Sequence, residues 1–392
     1  MSAFAAVMTG KGTGAISTIQ LFGDSAETIL KKIFKPTGTS PAKFKTGKIL
    51  LGTINETGEP IDQVTIGCEA PNSFAIHCHG NPLIVEMIMQ LLQHCGAKLV
   101  TAEQLLTKTL AEQKNIGTIA LEAKLAQLEA KTIQGAKIIA NQIEAGLTKK
   151  AEQWLKNIKN ISLEEILNQA EQILRNSKTA KLIVFGCKVA IIGPPNSGKS
   201  TLLNYLAGRQ KAIVTDIKGT TRDWVSAICQ IEPLSIEFFD TAGLDEKLSA
   251  HNNTIEKAAQ KKSVDILKQA DLFLLVLDNS QPAEQLNKNL LKQVVNKKVL
   301  TVINKSDLSA VFDTPELPEI LGNTLLISAK FGTGIEELIE KILQICGAAD
   351  FDSKEAVCFT RRHKNLLKQL KRAESKQQAA SIITELLNGR IY

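Results

Sequence analysis

The stretch "VAIIGPPNSGKSTLLN", residues 189–204, decides the fold of the central part of this 392-residue chain. Its apolar start predicts a buried β-strand, and "STLLNYLAG" predicts a helix. Between them, Gly193, four further residues, Gly198, Lys199 and Ser200 fit the pattern G-x-x-x-x-G-K-[ST]. Such a loop turns backbone N–H groups toward phosphate oxygens at the N-terminus of a helix. The stretch therefore predicts a phosphate-binding loop in an α/β domain.

Two segments after this loop complete a predicted site for a nucleotide and Mg²⁺. We expect Lys199 to contact the β- and γ-phosphates and to act in catalysis, and Ser200 to place its hydroxyl on Mg²⁺. "FFDTAGL" ends a predicted strand at Asp240, which is placed to hold Mg²⁺ through water. "DIKGTTRD" offers Thr221 as a further Mg²⁺ ligand and catalytic residue. The other predicted nucleotide contacts here are Gly193, Asn196, Ser197, Gly198, Thr201 and Gly243.

Two later strand ends indicate that the base is guanine. "TVINKSD" places Asp307 where its carboxylate can accept hydrogen bonds from N1–H and the exocyclic amine of guanine, which adenine does not offer. "LLISAKFGTG" follows another predicted strand and can bring a backbone N–H to the guanine O6. The predicted base contacts are Asn304, Lys305, Asp307, Ser328, Ala329 and Lys330. Together the motifs predict transfer of the γ-phosphoryl group of GTP to water.

One part of a small GTPase is missing from these motifs. After Asp-Thr-Ala-Gly, many small GTPases carry a glutamine that orients the attacking water, and here the residue is Leu244. No arginine finger is evident either. The sequence therefore requires another source of positive charge for the transition state.

The pattern along the chain predicts an α/β P-loop GTPase domain inserted in an α-helical bundle, plus an N-terminal α+β domain. The predicted domains are 1–115 (α+β), 116–182 (first helical half), 183–348 (GTPase) and 349–392 (second helical half). In the first domain, "PLIVEMIMQLLQHC" is the one predicted helix. In the helical halves, "LEAKLAQLEAKTIQGAKIIANQIEAGL" predicts one amphipathic helix, "SLEEILNQAEQIL" predicts a helix capped by Ser162, and "RRHKNLLKQLKRAESKQQAASIITELL" predicts helix again.

Composition limits the class of protein. Hydrophobic content of 44% and charged content of 22% are ordinary for a globular chain, and no run of 18 apolar residues or secretory signal is visible. The 7 scattered cysteines indicate reduced thiols in the cytoplasm. Of the net charge of +7, the last part from Asp352 to Tyr392 holds 9 Lys and Arg against 4 Asp and Glu, which is +5. This basic tail is either an RNA-binding surface or a solvated helix face.

"GPPNSGKSTLLNYLAGRQKAIVTDIKGTTRDW" with "FFDTAGL" resembles the MnmE (TrmE) family, GTPases that modify the wobble uridine of tRNA. "GKGTGAISTIQLFG" and "APNSFAIHCHGNP" are similar to its N-terminal motifs, so the resemblance covers most of the chain. It implies that K⁺ replaces an arginine finger and that Glu256 orients the attacking water. Glu256 could equally be an ordinary surface glutamate, and Asn196 could merely shape the loop. The K⁺ ligands that the resemblance implies are Asn196, Thr215, Ile217 and Thr220.

The same resemblance implies partners and a second ligand. It implies a homodimer formed by the N-terminal domain, a flavin-dependent MnmG-type partner, tRNA as substrate, a cytoplasmic location and no membrane contact. It also implies 5-formyltetrahydrofolate in the N-terminal domain, where Gln20 replaces the family's arginine, Ala75 stands near its glutamate and Lys114 matches its lysine. The final "ELLNGRIY" departs from the family's Phe-Cys-Ile-Gly-Lys ending.

These departures leave three functions open. The chain is a K⁺-stimulated tRNA-modification GTPase, a GTPase switch that has lost the one-carbon chemistry, or a GTPase of the ribosome-assembly kind. A zinc site formed by His77, His79, His94 and Cys95 is a further alternative to a packed histidine pair, although no C-x-x-C pair supports it.

Overall fold

The computed structural model describes residues 2–10, 12, 14–38, 43–111, 117–208, 212–213, 226–240, 268–286, 297–312, 317–318, 321–322 and 324–389. The chain forms two compact units, Met1–Gly117 and Thr118–Tyr392. In this described part of the chain, no helix combines the length and the apolar composition that crossing a membrane requires.

Among its described residues, the first unit forms a seven-stranded sheet with three helices. Its strand order is β3-β4-β5-β6-β2-β1-β7, and the neighbours are antiparallel except the parallel pair β1–β7. The strands are β1 (Ala3–Val7), β2 (Ile16–Gly23), β3 (Phe34–Pro36), β4 (Ile49–Glu56), β5 (Glu59–Ala70), β6 (Ser73–His79) and β7 (Ala97–Leu99). The helices are α1 (Ala26–Ile33), α2 (Pro82–His94) and α3 (Ala102–Ala111).

The α+β prediction for this unit is confirmed, but the prediction of a single helix is wrong. The predicted helix is α2, which begins at Pro82 and is capped by the Asn81 side chain. Helices α1 and α3 were missed because they span only 8 and 10 residues, about two to three turns. In α1 the apolar positions Ile29, Leu30 and Ile33 are buried against the sheet, although a segment this short carries a weak periodic signal.

The second unit contains a doubly covered α/β sheet in the order β14-β13-β12-β8-β11-β10-β9. The first five strands in this order are parallel, and β10 is antiparallel to both of its neighbours. The strands are β8 (Cys187–Ile192), β9 (Ala212–Ile213), β10 (Ser226–Ile231), β11 (Leu234–Asp240), β12 (Leu272–Asp278), β13 (Val299–Asn304) and β14 (Thr324–Leu326). The sheet is accompanied by α8 (Lys199–Ala207) and, later in the chain, α9 (Ile335–Cys346).

The continuous apolar runs of the central strands follow from burial on both faces. Every residue of β12 is buried, and its alternate side chains join two different cores. Leu274 and Val276 pack in the larger core, whereas Phe273 and Leu275 pack in the smaller one. Because parallel strands end at the same edge of a sheet, the functional residues that follow them are brought together there.

In the part of the chain that the structure describes, six helices before and after the α/β sheet belong to this same unit. They are α4 (Thr118–Gln127), α5 (Ile133–Glu144), α6 (Gly146–Lys156), α7 (Leu163–Phe185), α10 (Arg361–Leu370) and α11 (Lys376–Asn388). Residues from both segments share one hydrophobic core, in which Trp154 and Ile166 of the first segment pack with Leu367 and Ile383 of the second.

The single amphipathic helix predicted over residues 121–147 is wrong, because the segment belongs to three helices. Thr132 breaks it: its hydroxyl accepts the N–H of Gly135 at 2.8 Å and donates to the carbonyl of Ile183 at 2.8 Å. A Cβ on Gly135 would lie 2.7 Å from the Cα of Val184, so α5 and α7 approach at backbone contact. The tail helix is likewise two helices, since the Ser375 side chain caps the start of α11. The predicted Ser162 cap of α7 is confirmed by its bond from the N–H of Glu165.

A buried charge cluster ties the two helical segments together. The carboxylate of Glu122 in α4 accepts bonds from Arg362 Nη2 at 2.6 Å, Thr360 Oγ1 at 3.0 Å and His363 Nε2 at 2.6 Å. Burial opposes ionisation of Glu122, but the bonds from His363 and Arg362 outweigh it and lower its pKa to about 2. Burial also lowers the pKa of His363, more than Glu122 raises it, so His363 is neutral and donates through Nε2–H.

We expect Glu122→Gln to lower the free energy of unfolding of the helical core by about 3 kcal/mol at pH 7, because it leaves Arg362 without its buried partner. Buried Trp154 lies in that core, so its fluorescence follows the transition. The matched control is Glu171→Gln, whose exposed carboxylate contacts Lys371 at 3.2 Å and which should cost below about 1 kcal/mol.

The two pKa shifts determine the direction in which the stability of this core changes with pH. The folded pKa values of Glu122 and His363 both lie below their ordinary values, so the unfolded chain binds protons first. Wild-type stability should fall as pH drops below about 6.5, where His363 titrates in the unfolded chain, and again from about 4.5 toward 2, where Glu122 does. In Glu122→Gln the lower step should shrink by the contribution of Glu122, whereas Asp278, whose pKa is also lowered, keeps its own contribution; an unchanged lower step would contradict the role assigned to Glu122.

Candidate nucleotide-binding site

The loop between β8 and α8 has the shape of a phosphate cradle. Gly193 has φ +149°, and a Cβ there would lie 2.1 Å from the carbonyl oxygen of Val276. Gly198 has φ +92°, and a Cβ there would lie 2.2 Å from Asn304 Nδ2. Asn196 also adopts a positive φ, of 60°, at the exposed tip of the loop. Both glycines are therefore required by close approach and by backbone conformation.

The polar groups of this loop fit a phosphate chain. The Ser197 hydroxyl is buried with no hydrogen-bond partner among the described residues. Helix α8 begins at Lys199, and its N-cap residue, Gly198, has no side chain to cap it, so its first N–H groups point into the loop. Lys199 Nζ, almost wholly buried, donates to the carbonyl oxygens of Gly193 at 2.9 Å and Pro194 at 2.7 Å. Helix N–H groups and an ammonium converging on one loop are what bound phosphates require.

Two predicted Mg²⁺ ligands lie side by side. Ser200 Oγ donates to Asp240 Oδ2 at 2.6 Å, which joins the first turn of α8 to the end of β11. Both groups are oxygen donors, the type that Mg²⁺ prefers. Thr201 follows in the same exposed turn. Ser200 and Asp240 therefore fit a Mg²⁺ ion bound next to the phosphate loop.

Asn304 connects the phosphate loop to the base-binding loops. Its Nδ2 donates to the carbonyl oxygen of Ser197 at 2.9 Å, and its Oδ1 accepts the N–H of Ala329 at 2.9 Å. It is 2% exposed, so both bonds are shielded from water. Its side chain thus fixes the distance between the phosphate and the base ends of the site.

The base-binding residues form a second connected group. Ser328 Oγ donates to Asp307 Oδ1 at 2.5 Å and orients that carboxylate. The Ser306 N–H donates to the carbonyl of Ile327, and Lys330 follows Ala329 in the adjacent turn. The predicted residues at the ends of β13 and β14 are therefore brought together, with the Asp307 carboxylate fixed by a hydroxyl as guanine recognition requires.

Lys305 is held by a residue that sequence reasoning missed. Its Nζ contacts Asp278 Oδ2 at 2.6 Å, at the end of β12, and its φ is +66°. Burial opposes ionisation of Asp278, but bonds from Lys305 and Ser280 outweigh it and hold the pKa of Asp278 below its usual range. The sequence feature that could have identified Asp278 is its position at the end of the fully apolar run "LFLLVLD", at the same sheet edge as Asp240 and Asn304.

Several predicted residues lie outside the described residues. They are the K⁺ ligands Thr215, Ile217 and Thr220, the Mg²⁺ ligand Thr221, the nucleotide contact Gly243, the water-orienting Glu256 and the folate contact Lys114.

In the first unit, the residues at the expected folate site do not fit the family's charged contact. Gln20, in place of the arginine, is 9% exposed and lies opposite Ala75 in the β2–β6 register. Its Nε2 already donates to Glu69 Oε2 at 2.8 Å and Ser73 Oγ at 3.0 Å. Gln20 thus carries no charge, its amide is occupied, and the neighbouring carboxylate repels an anion.

The alternative zinc site is not formed. His79 Nδ1 bonds to Asp62 at 2.7 Å, and His77 Nδ1 bonds to Thr18 at 3.0 Å. Among the described residues, no group of three or more His, Cys, Asp or Glu could hold a metal ion. All 7 cysteines are free thiols.

A phosphate-binding loop, oxygen ligands suited to Mg²⁺ and an oriented carboxylate suited to guanine, all at the ends of parallel strands, define a P-loop GTPase. Comparison with known proteins agrees: residues 188–305 match the family model described as "50S ribosome-binding GTPase", and residues 3–104 match "GTP-binding protein TrmE N-terminus".

Relatives extend the similarity over nearly the whole chain. The tRNA modification GTPase MnmE of Ligilactobacillus salivarius is 30% identical, over 93% of this chain and 85% of that protein. The MnmE of Enterococcus faecalis is 30% identical over 98% and 88%, and that of Desulforamulus reducens is 31% identical over 93% and 86%. The chain therefore belongs to the MnmE/TrmE family, and it is a GTP-hydrolysing enzyme.

Proposed function

We propose that this chain is a K⁺-stimulated GTPase that acts in modification of the wobble uridine of tRNA together with a flavin-dependent partner. The observation that supports it best is the single hydrogen-bonded unit made by Asn304, which joins the phosphate loop to the base loops on a chain of the MnmE/TrmE family. In this proposal the GTPase domain, residues 183–348, is inserted in a helical bundle, and the N-terminal domain forms a homodimer in the cytoplasm.

The residues divide the work of hydrolysis. Lys199 and the N–H groups of α8 bind the β- and γ-phosphates, and Asp307 with Ser328 selects guanine. Ser200, Asp240 and Thr221 would hold Mg²⁺, which neutralises phosphate charge when bound. Glu256 orients the attacking water.

A bound K⁺ supplies the charge that an arginine finger supplies elsewhere, and Asn196 would be its side-chain ligand, with carbonyls of Thr215, Ile217 and Thr220. Asn196 lies at the exposed tip of the phosphate loop with φ +60°, a conformation that asparagine tolerates. Its side chain is exposed there, so it does not take part in packing of the core.

We expect Asn196→Ala to leave GTP affinity within about threefold of wild type. Its hydrolysis should no longer be stimulated by K⁺, so its rate in K⁺ should fall by about 10-fold or more. The measurement is phosphate release in K⁺ and in Na⁺ at equal ionic strength. The control is Asn204→Ala, because Asn204 is also exposed but lies in α8, after the phosphate loop. Equal wild-type rates in K⁺ and Na⁺ would contradict the K⁺ site.

Purified components test the tRNA step. The chain, a flavoprotein partner and unmodified tRNA would be incubated with one-carbon donor and with GTP or a non-hydrolysable GTP analogue, and the wobble nucleoside analysed by mass spectrometry. We expect modification with GTP and none with the analogue. The MnmE of the organism that supplies the flavoprotein serves as the positive control. If that MnmE supports modification and this chain does not, the proposal is rejected.

A second candidate is a GTPase switch that has lost the one-carbon chemistry. The bonds of Gln20 to Glu69 and Ser73 favour it, because they occupy the position of a charged folate contact. In that case GTP hydrolysis would persist, whereas 5-formyltetrahydrofolate would not bind the chain in calorimetry.

A further inference from the structure

The outer face of α10 and the turn that follows it carry a row of basic side chains, here called the basic ridge. Its members are all exposed: Arg361, Lys364, Lys368, Lys371 and Arg372. At 100° per residue the three members within α10, Arg361, Lys364 and Lys368, fall within an arc of about 60°, on the side opposite the buried residues of the same helix. Those buried residues are His363, Leu366, Leu367 and Leu370. The ridge is therefore one continuous face about 16 Å long.

The charge of this ridge is largely uncompensated. Within the described part of the chain, Lys371 is the one member with an ion pair, at 3.2 Å from Glu171. That same carboxylate is also shared with Arg175, at 3.6 Å. The other four members have no carboxylate within ion-pair distance among the described residues. A field of one sign thus covers this face.

The ridge stands on a rigid support. The N-cap residue of α10 is Thr360, whose hydroxyl accepts the N–H of His363 and donates to buried Glu122. Arg362 also donates to Glu122 and to the carbonyls of Glu385 and Leu386 in α11. The helix is therefore fixed from beneath by one basic residue, while the remaining basic residues point to solvent. A preorganised row loses little entropy when it binds a ligand.

We propose that the basic ridge binds the phosphate backbone of RNA, and specifically that of tRNA. This inference rests on the proposed function. Charge complementarity selects this partner: the helical members recur every three or four residues, about 4.5–6 Å apart along the helix axis, and such a row of cations attracts the repeated charges of a phosphate backbone. The face exposes no large apolar side chain, whereas a protein interface needs apolar or aromatic anchors at its centre.

The test compares two triple variants of the full chain. In K364Q/K368Q/R372Q three unpaired ridge charges are removed; in the control K43Q/K45Q/K48Q three exposed lysines of the first unit are removed with the same change in net charge. Binding of an unmodified tRNA transcript is measured by fluorescence anisotropy from 50 to 300 mM KCl, roughly the range in which phosphate contacts dominate affinity. GTP hydrolysis without RNA is measured on each variant as the check of folding.

We expect the ridge variant to bind tRNA at least about 10-fold more weakly, with a salt slope smaller by about two to three, and to hydrolyse GTP like wild type. K364R/K368R should bind like wild type. Equal affinity and slope in the ridge and control variants would overturn the proposal, and so would loss of flavoprotein binding with tRNA binding intact. Tight ridge-dependent tRNA binding without wobble modification would reject the proposed function and leave this inference standing.

Discussion

Replacing Lys199 by alanine is expected to lower kcat for GTP hydrolysis by about 100-fold or more. Its ammonium is buried at the mouth of the phosphate loop and fixed by the carbonyls of Gly193 and Pro194, so it is preorganised to meet charge on the β- and γ-phosphates. A preorganised donor removed from such a site typically costs a factor of 10² to 10³, about 3–4 kcal/mol of transition-state stabilisation. The measurement is phosphate release at saturating GTP.

The control for this prediction is Lys188→Ala, at the opposite end of β8. Lys188 Nζ donates to Gln269 Oε1 at 2.9 Å and lies at the start of the strand rather than at the loop. We expect its kcat to stay within about twofold of wild type, as for a solvated surface charge. Hydrolysis by Lys199→Ala at a rate close to that of Lys188→Ala would show that Lys199 does not act on the phosphates.

Replacing Asp307 by asparagine is expected to reverse the base preference of the site. The carboxylate would lose the charge that accepts both guanine donors, and GTP affinity should fall about 100-fold, since bonds to a charged group are worth about 1.5–3 kcal/mol each. Xanthosine triphosphate carries a carbonyl where guanine has its amine, and the new amide can donate to it. Its affinity should therefore rise above that of GTP, as measured by competition against a labelled nucleotide.

Ser328→Ala tests the same role of Asp307 with a smaller expected effect. Its hydroxyl donates to Asp307 Oδ1, so its loss should relax the orientation of the carboxylate without changing its charge. We expect a loss of GTP affinity of about 10-fold and no gain for xanthosine triphosphate. An Asp307→Asn variant that keeps its preference for GTP would remove the argument for guanine recognition by this residue.

The sequence pattern was sufficient to predict that several candidate site residues stand at the ends of strands. Gly193, Asp240, Asn304 and Asp307 each stand at or just after an apolar run, and parallel strands deliver such ends to one edge. What the pattern did not contain was the contact between them. The bonds of the Asn304 side chain to the backbone of Ser197 and Ala329 join groups 107 and 25 residues apart in sequence, which no local period records.

In the helical segments, the sequence pattern predicted helix but not the positions at which the helices end. Apolar residues recur every three to four positions throughout 121–147, so periodicity alone favours one helix. The breaks depend on Thr132 finding a carbonyl of α7 and on Gly135 lying against Val184. Glu122 was likewise unremarkable in sequence, because a lone glutamate on a helix is ordinarily exposed and its partners lie 238 to 241 residues away.

The most direct test of the account is mass spectrometry of wobble uridines in a bacterium that lacks its own MnmE. The host would express this chain, its Lys199→Ala variant or the host's own MnmE, each beside the host's flavoprotein. We predict that the modified uridine returns with this chain and with the host's protein, but not with Lys199→Ala. No return with this chain, while its purified form hydrolyses GTP and the host's protein restores the modification, would contradict the account.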